Sequence, residues 1–537
     1  MKKVTAILSM LHEMPGRDSA SRLFRGEPVL SWTLERLARC QQLSSIAVLC
    51  WEDHLPAVEA IAGEKGAYVL AKGPRVHVPA IEAIAAARKW ADGWRGGLLS
   101  TCDFDLGFHG PWVRELQQKL ESDAVLLVDP SAGLVDFNLI DEIIEHTRRH
   151  EELEMCFTSA APGLGGVLLK SSILEKLSTG HPGRSLHYMP EQPMHDPCST
   201  ASCYPVSAPV ARSLERFKLD SDRQISRIEQ ATTSLNGQLI KSRSEELVLR
   251  MSQHTASDAL PREVVLELNT QRATSPVYWP GKHLEIVREP MTPGTAAALF
   301  QQIAVADDMR LTIAGVGDPL LNQHFLDIVE LARHAGIHAI HVETDLVGVS
   351  SGQIAELAAA PIDVISIHMP AATIETYQRV MGVDALLAVL ESVKTLILER
   401  QKRGRGVPLV VPTFTKCALN LAEMEAWYDQ WLTALGTAVI VGPGDCAGQI
   451  PNVSVAEMGP PQRKACARIQ SRMMVLCDGR IVSCEQDITG RQVMGRVGKD
   501  EVGDVWKRMF GQLREEHGQG RWAQRPVCAS CKDWHRR

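Results

Sequence analysis

Residues 311–321 read LTIAGVGDPLL, a short β-rich run that enters Gly-Val-Gly and continues into Asp-Pro. Glycines at the end of a strand let backbone N–H and C=O groups approach a ligand, and the Asp318 carboxylate could accept hydrogen bonds from an ammonium or hydroxyl group. A glycine turn that reverses the chain, with Asp318 as an N-cap ahead of Pro319, explains the same residues. The stretch alone leaves a binding loop and a simple turn both open.

The surrounding sequence alternates β-rich runs with amphipathic segments. Residues 322–336 and 385–404 carry apolar side chains at helical spacing. The β-rich runs lie at 264–269, 309–315, 337–344, 363–369, 407–414 and 437–442. This alternation predicts about six parallel strands with right-handed crossovers, which would curl into a partial (β/α) barrel over residues 261–455.

A second α/β pattern precedes the barrel. Residues 4–8, 45–50, 96–105 and 123–130 are β-rich, while 29–40 and 137–150 have helical periodicity. They predict a doubly wound domain over 1–180. Residues 181–260 begin with a stretch rich in Pro, Ser and His, which is typical of an extended connector.

The composition argues against two functions, nucleic-acid binding and membrane insertion. The 537 residues are 45% hydrophobic and 23% charged, with a formal net charge of −7. This mild negative charge argues against a nucleic-acid-binding surface. No apolar run reaches the ~20 residues that a membrane span needs, so we expect a cytoplasmic protein without a membrane partner.

Cysteine positions carry the strongest metal signal. None of the 13 cysteines lies between Cys203 and Cys417, whereas five crowd into residues 466–531. Cys466 precedes a predicted strand, an Asp-Gly turn follows at 478–479, and Cys484 is predicted on the returning strand. A Cys-x2-Cys pair then completes four thiolates, which suits an iron–sulfur cluster or zinc: Cys466, Cys484, Cys528 and Cys531. Cys477, beside the turn, is interpreted as a strand residue or a spare thiol.

The order of elements in the barrel resembles that of the radical S-adenosylmethionine superfamily. GVGDPLL resembles the Gly-Gly-Glu-Pro motif of that family, Thr344-Asp345 stands where the family often has Thr-Asn, and Ser366 lies in the matching fourth strand. The resemblance implies that six residues face S-adenosylmethionine: Gly315, Gly317, Asp318, Pro319, Thr344 and Ser366.

The first loop of the barrel departs from this family. Its three cluster-binding cysteines would fall at Ala273, Val277 and Pro280, or, one residue earlier, at Arg272, Pro276 and Trp279. Neither register offers a thiolate, and cleavage of S-adenosylmethionine needs an iron to chelate it and an electron to enter it. We therefore expect that this chemistry is lost, and Asp318 in place of Glu makes cofactor binding doubtful.

The two ends of the chain carry further resemblances. Residues 456–537 resemble the SPASM domain, which implies one auxiliary [4Fe–4S] cluster on the four cysteines named above, with zinc as the alternative. The order of the domains along the chain resembles that of the spiro-SPASM group. The domain over 1–180 resembles nucleotidyltransferases of the cytidylyltransferase type, with Asp103 and Asp105 at the metal-binding position. Two solvated acids explain that pair equally well.

Three functional hypotheses follow from these patterns. The first is an iron–sulfur protein whose barrel binds a small molecule or peptide, with a cluster that is structural, anchors substrate or exchanges electrons with a partner. The second is a nucleotidyl or sugar-nucleotide transferase acting through Asp103 and Asp105. The third, radical catalysis with a partner's cluster, finds no cysteine in the first loop to receive it.

Overall fold

The computed structural model describes residues 1–93, 96–97, 108–179, 200–254, 258–456 and 459–536. They divide into two compact units, Met1–Ala256 and Ser257–Arg537. Both units are mixed α/β with largely parallel sheets, which confirms the predicted fold class. No helix in the described residues combines the length and apolar character needed to cross a membrane.

The first unit is a sheet flanked by helices. Its strands are β1 (Val4–Ser9), β2 (Leu23–Phe24), β3 (Glu27–Pro28), β4 (Ser45–Cys50), β5 (Tyr68–Ala71), β6 (Ala91–Gly93), β7 (Gly96–Gly97), β8 (Ala124–Val128), β9 (Met155–Thr158), β10 (Val167–Lys170) and β11 (Cys203–Tyr204). Its helices are α1 (Val29–Leu37), α2 (Leu55–Glu64), α3 (Pro79–Trp90), α4 (Gly110–Lys119), α5 (Phe137–Arg149), α6 (Ser171–Thr179), α7 (Ala208–Ala211), α8 (Asp222–Ala231) and α9 (Ser244–Gln253).

The main sheet of this unit has the order β11-β9-β10-β8-β1-β4-β5, with β10 antiparallel to both neighbours. Alternate residues of β1 enter two different cores, Val4, Ala6 and Leu8 on one face and Ile7 on the other. Because strand side chains alternate between faces, both faces are covered, as a doubly wound domain requires. Residues 200–254 pack within this unit, where β11 extends the sheet beside β9.

The second unit holds the barrel and the cysteine-rich region. Its strands are β12 (Glu263–Leu266), β13 (Arg310–Ile313), β14 (Ala339–Thr344), β15 (Val364–His368), β16 (Leu409–Thr415), β17 (Val439–Val441), β18 (Arg472–Val475), β19 (Arg480–Val482) and β20 (Val493–Arg496). Its helices are α10 (Pro280–His283), α11 (Pro293–Ile303), α12 (Phe325–His334), α13 (Ser351–Ala359), α14 (Ile374–Met381), α15 (Leu386–Lys402), α16 (Met424–Leu435), α17 (Val502–Asp504), α18 (Phe510–Gly518) and α19 (Pro526–Ser530).

The six predicted barrel strands are present and parallel, in the order β12 to β17. The sequence did not predict which strand pairs with the free edge of β12. Strand β18 pairs with it in parallel, and β19 and β20 follow in an antiparallel ribbon. The cysteine-rich region thus continues the barrel sheet, since the unpaired backbone groups of an edge strand favour the addition of another strand.

The two faces of the barrel sheet differ in polarity. Leu311 and Ile313 of β13 join the aliphatic core under the helices, as do their counterparts on neighbouring strands. The residues between them are polar on several strands: Glu263, Thr312, His341, Glu343, Ser366 and His368. A period of two places these polar side chains together on the inner face. The inner face is therefore where a ligand-binding or catalytic site belongs.

Candidate functional site

A buried ion pair occupies the end of the barrel where the first loop was predicted to lie. Arg272 binds the Asp345 carboxylate in a bidentate way, with Nε–Oδ2 at 2.6 Å and Nη2–Oδ1 at 2.5 Å. The side chains are only 7% and 1% exposed. Arg272 comes from the loop after β12 and Asp345 directly follows β14, so the pair joins two strand ends that are distant in sequence.

Three neighbours hold this pair in place. The Trp279 ring covers the guanidinium, whose central carbon lies 3.9 Å from the ring centroid. The Trp279 indole donates to the Val316 carbonyl at 2.7 Å. The hydroxyl of Thr274 donates to Asp345, and His368 Nδ1 lies 3.0 Å from Asp345 Oδ1. Two of the three residues of the shifted register, Arg272 and Trp279, therefore fill this space with a cation and an aromatic ring.

Opposite charges shape the electrostatics of this end. Burial alone would raise the pKa of Asp345, but the Arg272 charge and the hydrogen bonds from His368 and Arg272 hold it well below its usual range. The pKa of Asp318 is raised, first by burial and then by the charge of Asp345. Arg272 and Asp345 are thus the two groups of this site that stay ionised.

The Asp318 carboxylate is engaged by protein groups. The Thr344 hydroxyl donates to both of its oxygens, at 3.0 and 2.9 Å, and the backbone N–H of Asp345 donates to Oδ2 at 2.8 Å. Asp318 also accepts from the N–H of Leu320 at 3.0 Å, as the N-cap of the 3-10 turn Pro319–Leu321. Asp318 therefore acts as an N-cap, one of the two roles that the sequence left open. It also connects the second loop to the end of β14.

The two glycines of GVGDP are required by close contacts with the end of β12. A Cβ on Gly315 would lie 2.6 Å from Glu267 Cγ, and Gly315 has a φ of +150°. A Cβ on Gly317 would lie 2.3 Å from Asn269 Oδ1 and 2.4 Å from the Asn269 carbonyl oxygen. Such distances lie far inside van der Waals contact, so only glycine fits without a shift of the backbone.

Gly317→Ala is therefore expected to destabilise the second unit by about 1–3 kcal/mol, the usual cost of overpacking. Urea unfolding followed by circular dichroism measures the change. Gly352→Ala is the matched control, since the nearest atom to its Cβ is 3.9 Å away and the site lies in α13. The control should be neutral or slightly stabilising. Equal stability of the two variants would contradict the close approach.

The inner face of the barrel also holds a neutral histidine. His341 is buried and its Nε2 lies 2.8 Å from Ser366 Oγ. Burial, with smaller effects of His368 and Arg472, lowers the pKa of His341 to about 3. Burial likewise lowers the pKa of His517 on α18 to about 4. Ser366, predicted to face a cofactor, thus has a protein partner on the neighbouring strand.

These pKa values predict acid lability of the second unit. Below about pH 6.5 each histidine takes up a proton only in the unfolded chain, so the free energy of unfolding falls by about 1.4 kcal/mol per pH unit for each histidine. The loss begins as the pH falls through 6.5 and ends near the folded pKa. Urea midpoints should fall as the pH is lowered from 7.5 to 5, and they should fall less steeply for His341→Gln than for the unmodified protein. His334→Gln, with its side chain 80% exposed, should leave the slope unchanged.

The four predicted ligand cysteines lie in one part of the second unit. Cys484 follows β19 by two residues rather than lying on it, as the sequence had suggested, and Cys528 is in α19. Cys484 and Cys531 share an apolar cluster with Ala447 and Val527. Burial raises the pKa of Cys528 to about 12, and the charges of Cys466 and Cys531 add to the rise.

The four thiols lie in one region, but their side chains are not arranged as the ligands of one metal ion. In the part of the chain that the structure describes, no group of three or more His, Cys, Asp or Glu side chains is gathered tightly enough to hold a metal ion. The described cysteines are all free of disulfides. Four neighbouring soft donors, mostly buried, nonetheless have the chemistry that iron–sulfur clusters and zinc require.

The first unit contains a cavity of about 110 Å³ beside the ends of β8 and β9. Asp129 lines it together with Lys218 and Arg88; Lys218 Nζ lies 2.7 Å from Asp129 Oδ2, and Arg88 donates to the same oxygen. Burial would raise the pKa of Asp129, but these two cations hold it well below its usual range. Asp103 and Asp105 lie outside the described residues, as do His181, His187 and His195.

Sequence reasoning missed most of these side chains. The strand-end position of Asp129 and the alternating polar residues of β14 and β15 were visible signals. The pairing of Arg272 with Asp345 had no local signal, because 72 residues separate the two partners in the chain.

One family model matches the chain. Residues 466–532 match the SPASM iron–sulfur cluster-binding domain, a range that contains all four predicted ligand cysteines. The predicted resemblance of the C-terminal region is thereby confirmed. An uncharacterised protein of Treponema pallidum (strain Nichols) is 22% identical over 261 residues, covering 46% of this chain and 72% of that protein.

Solved structures with low identity resemble parts of the chain. BtrN in complex with AdoMet and 2-DOIA is 16% identical, with 51% of this chain and 94% of that chain covered and a TM-score of 0.35. Streptococcus suis SuiB bound to precursor peptide SuiA is 9% identical, with coverages of 67% and 89% and a TM-score of 0.41. A cytidylyltransferase from Leptospira borgpetersenii serovar Hardjo-bovis (strain JB197) is 14% identical, with coverages of 48% and 100% and a TM-score of 0.33.

Proposed function

We propose that this protein binds one [4Fe–4S] cluster through Cys466, Cys484, Cys528 and Cys531. The match of residues 466–532 to an iron–sulfur cluster-binding domain is the observation that carries the proposal. The grouping of the thiols supports it, because Cys484 and Cys531 pack in one apolar cluster and the charges of Cys466 and Cys531 act on Cys528. A cluster held by four thiolates supplies an electron store or a rigid anchor.

The barrel, in this proposal, binds a small molecule or peptide and does not cleave S-adenosylmethionine. The first loop has no cysteine, and the next one in the barrel is Cys417. The space at the loop is filled by Arg272, Asp345 and the Trp279 ring. Asp318, the predicted acceptor for a substrate amino group, already accepts from the Thr344 hydroxyl. These contacts support a binding platform without its own redox centre.

Metal analysis of anaerobically purified protein tests the first part. We expect about four iron and four sulfide per chain, the content of one [4Fe–4S] cluster, and an EPR signal on reduction. One zinc and no sulfide per chain would overturn the cluster assignment. Incubation with S-adenosylmethionine and dithionite tests the second part, with no 5′-deoxyadenosine expected. Formation of 5′-deoxyadenosine would show that the barrel still generates radicals.

The cavity of the first unit favours a second candidate, binding of a phosphorylated ligand such as a nucleotide. Arg and Lys are the side chains that proteins use for phosphate groups, and Arg88 and Lys218 both line the cavity. A magnesium-dependent thermal shift with nucleoside triphosphates, lost in Asp103→Ala, would support a transferase. The absence of a thermal shift with every triphosphate tested would contradict this second candidate.

A further inference from the structure

A group of buried polar side chains lies where the cysteine-rich region meets the loop that follows β17. This loop, residues 442–450, reads GPGDCAGQI, and three successive residues, Cys446, Ala447 and Gly448, have positive φ. It is fixed to the end of the chain, because Ser530 Oγ donates to the Ala447 carbonyl at 2.6 Å and Arg536 Nη1 donates to the Gly442 carbonyl at 2.9 Å. The loop is thus held in one conformation by contacts on both sides.

Three buried side-chain oxygens near this loop have no hydrogen-bond partner among the residues that the structure describes. They are Oδ1 of Asp445, Oε1 of Gln486 and Oδ2 of Asp533. The three residues are 8%, 8% and 5% exposed. A buried oxygen acceptor that lacks a donor loses its hydration without compensation, so native proteins satisfy nearly all such atoms. Three together therefore point to a missing partner.

Two of these oxygens, on Gln486 and Asp533, lie close to the backbone of Gly444. A Cβ built there would lie 2.9 Å from Asp533 Oδ2 and 3.3 and 3.4 Å from the amide nitrogen and oxygen of Gln486, so the two side chains meet beside Gly444. Asp445 is the next residue in the chain, and its charge acts on Asp533. Arg536 Nε binds the other oxygen of Asp533, Oδ1, at 3.1 Å and leaves Oδ2 beside Gly444.

We propose that Asp445, Gln486 and Asp533 form a binding site for a hard cation of the Ca²⁺ type. Two carboxylate oxygens and one amide oxygen are the ligands that Ca²⁺ prefers, and water molecules complete its coordination in many sites. No thiol or imidazole is part of this oxygen set, which argues against zinc or iron.

This site differs in kind from the four cysteines. It contains two acids, and its third ligand is the amide of Gln486. The described residues hold no metal-binding group of three His, Cys, Asp or Glu side chains, but a site with a Gln ligand is of a different kind. Its irregular loop and mixed ligands suit the flexible coordination of Ca²⁺ better than the strict octahedron of Mg²⁺. A bound cation here would fasten the loop after β17 to the end of the chain.

Calorimetric titration with calcium chloride tests the site in the full-length, cluster-loaded protein after chelator treatment. We expect one Ca²⁺ per chain for the unmodified protein. Asp445→Asn and Asp533→Asn should each weaken binding at least about tenfold, since ligand charge sets the affinity of oxygen sites. Gly444→Ala should block the site while all ligands remain. Asp504→Asn, an exposed acid on α17, should bind as the unmodified protein does.

Gln486→Glu keeps the test decisive if an aspartate variant does not fold. The added charge retains an oxygen ligand and should tighten Ca²⁺ binding several-fold. Iron and sulfide are measured on every sample, so that loss of the cluster is distinguished from loss of the cation. Absence of Ca²⁺ binding to the unmodified protein at millimolar concentration would overturn the proposal. Binding unchanged in Asp445→Asn, Asp533→Asn and Gly444→Ala would overturn it as well, as would binding of Mg²⁺ or K⁺ alone.

Discussion

Cys528→Ala is expected to lose the iron–sulfur cluster, with less than about one iron per chain left after anaerobic reconstitution. Cys528 lies in α19 among the neighbouring sulfurs of the C-terminal region, and three thiolates hold a four-iron cluster poorly. Iron, sulfide and the EPR signal of the reduced protein measure the effect. Because metal binding is coupled to folding, the thermal midpoint of the second unit should fall together with the iron content.

Cys477→Ala is the matched control for this variant. Cys477 is a buried thiol of the same region, and its surroundings are Glu267 and Arg288 instead of other cysteines. It should keep its iron and sulfide. The ligand assignment would be contradicted if Cys477→Ala lost the cluster and Cys528→Ala kept it. Loss in both would identify the cluster as sensitive to packing in this region rather than to one ligand.

Arg272→Met is expected to destabilise the second unit by about 3–5 kcal/mol, the usual effect of removing one partner from a buried ion pair. The substitution leaves the Asp345 carboxylate charged and buried, and it also removes the cation from the Trp279 ring. Urea unfolding at pH 7 measures the change. The double variant Arg272→Met/Asp345→Leu should recover most of the loss, because an apolar pair of similar volume leaves no charge unpaired.

Arg508→Met provides the comparison with an exposed pair. Arg508 and Asp504 lie 3.6 Å apart and their side chains are 76% and 63% exposed. Its loss should change the free energy of unfolding by less than about 1 kcal/mol. An effect of Arg272→Met as small as that of Arg508→Met would show that the barrel end is open to water and free to accept a ligand at Asp345.

Much of the fold could be predicted from local patterns. The six barrel strands, Glu263–Leu266 through Val439–Val441, follow β-rich runs separated by helical periodicity, and the hairpin of β18 and β19 follows from its Asp-Gly turn. Trp427 and Trp431, four residues apart on α16, are both buried in the core, as their helical spacing indicates. Each of these signals lies within one element, where side-chain periodicity and turn chemistry act directly on the backbone.

The candidate sites were less accessible to prediction, because their partners are distant in the chain. Asp318, predicted as a cofactor ligand, accepts a hydrogen bond from the Thr344 hydroxyl, 26 residues away, which no local pattern indicates. Asp445 and Asp533 had no pattern to connect them. Which polar groups are satisfied depends on which elements meet, and a one-dimensional motif does not record this.

By itself the sequence determined the α/β fold class, the absence of cysteines from the first loop of the barrel and the four cysteines of the C-terminal region. These depend on residue type and on spacing within single elements. Only the tertiary structure decided that β18 continues the barrel sheet and that Arg272 pairs with Asp345. It alone placed the oxygens of Gln486 and Asp533, which lack partners among the described residues, beside Gly444. The reason is that burial and hydrogen bonding join side chains across folded strands, where distance along the chain has no bearing on contact.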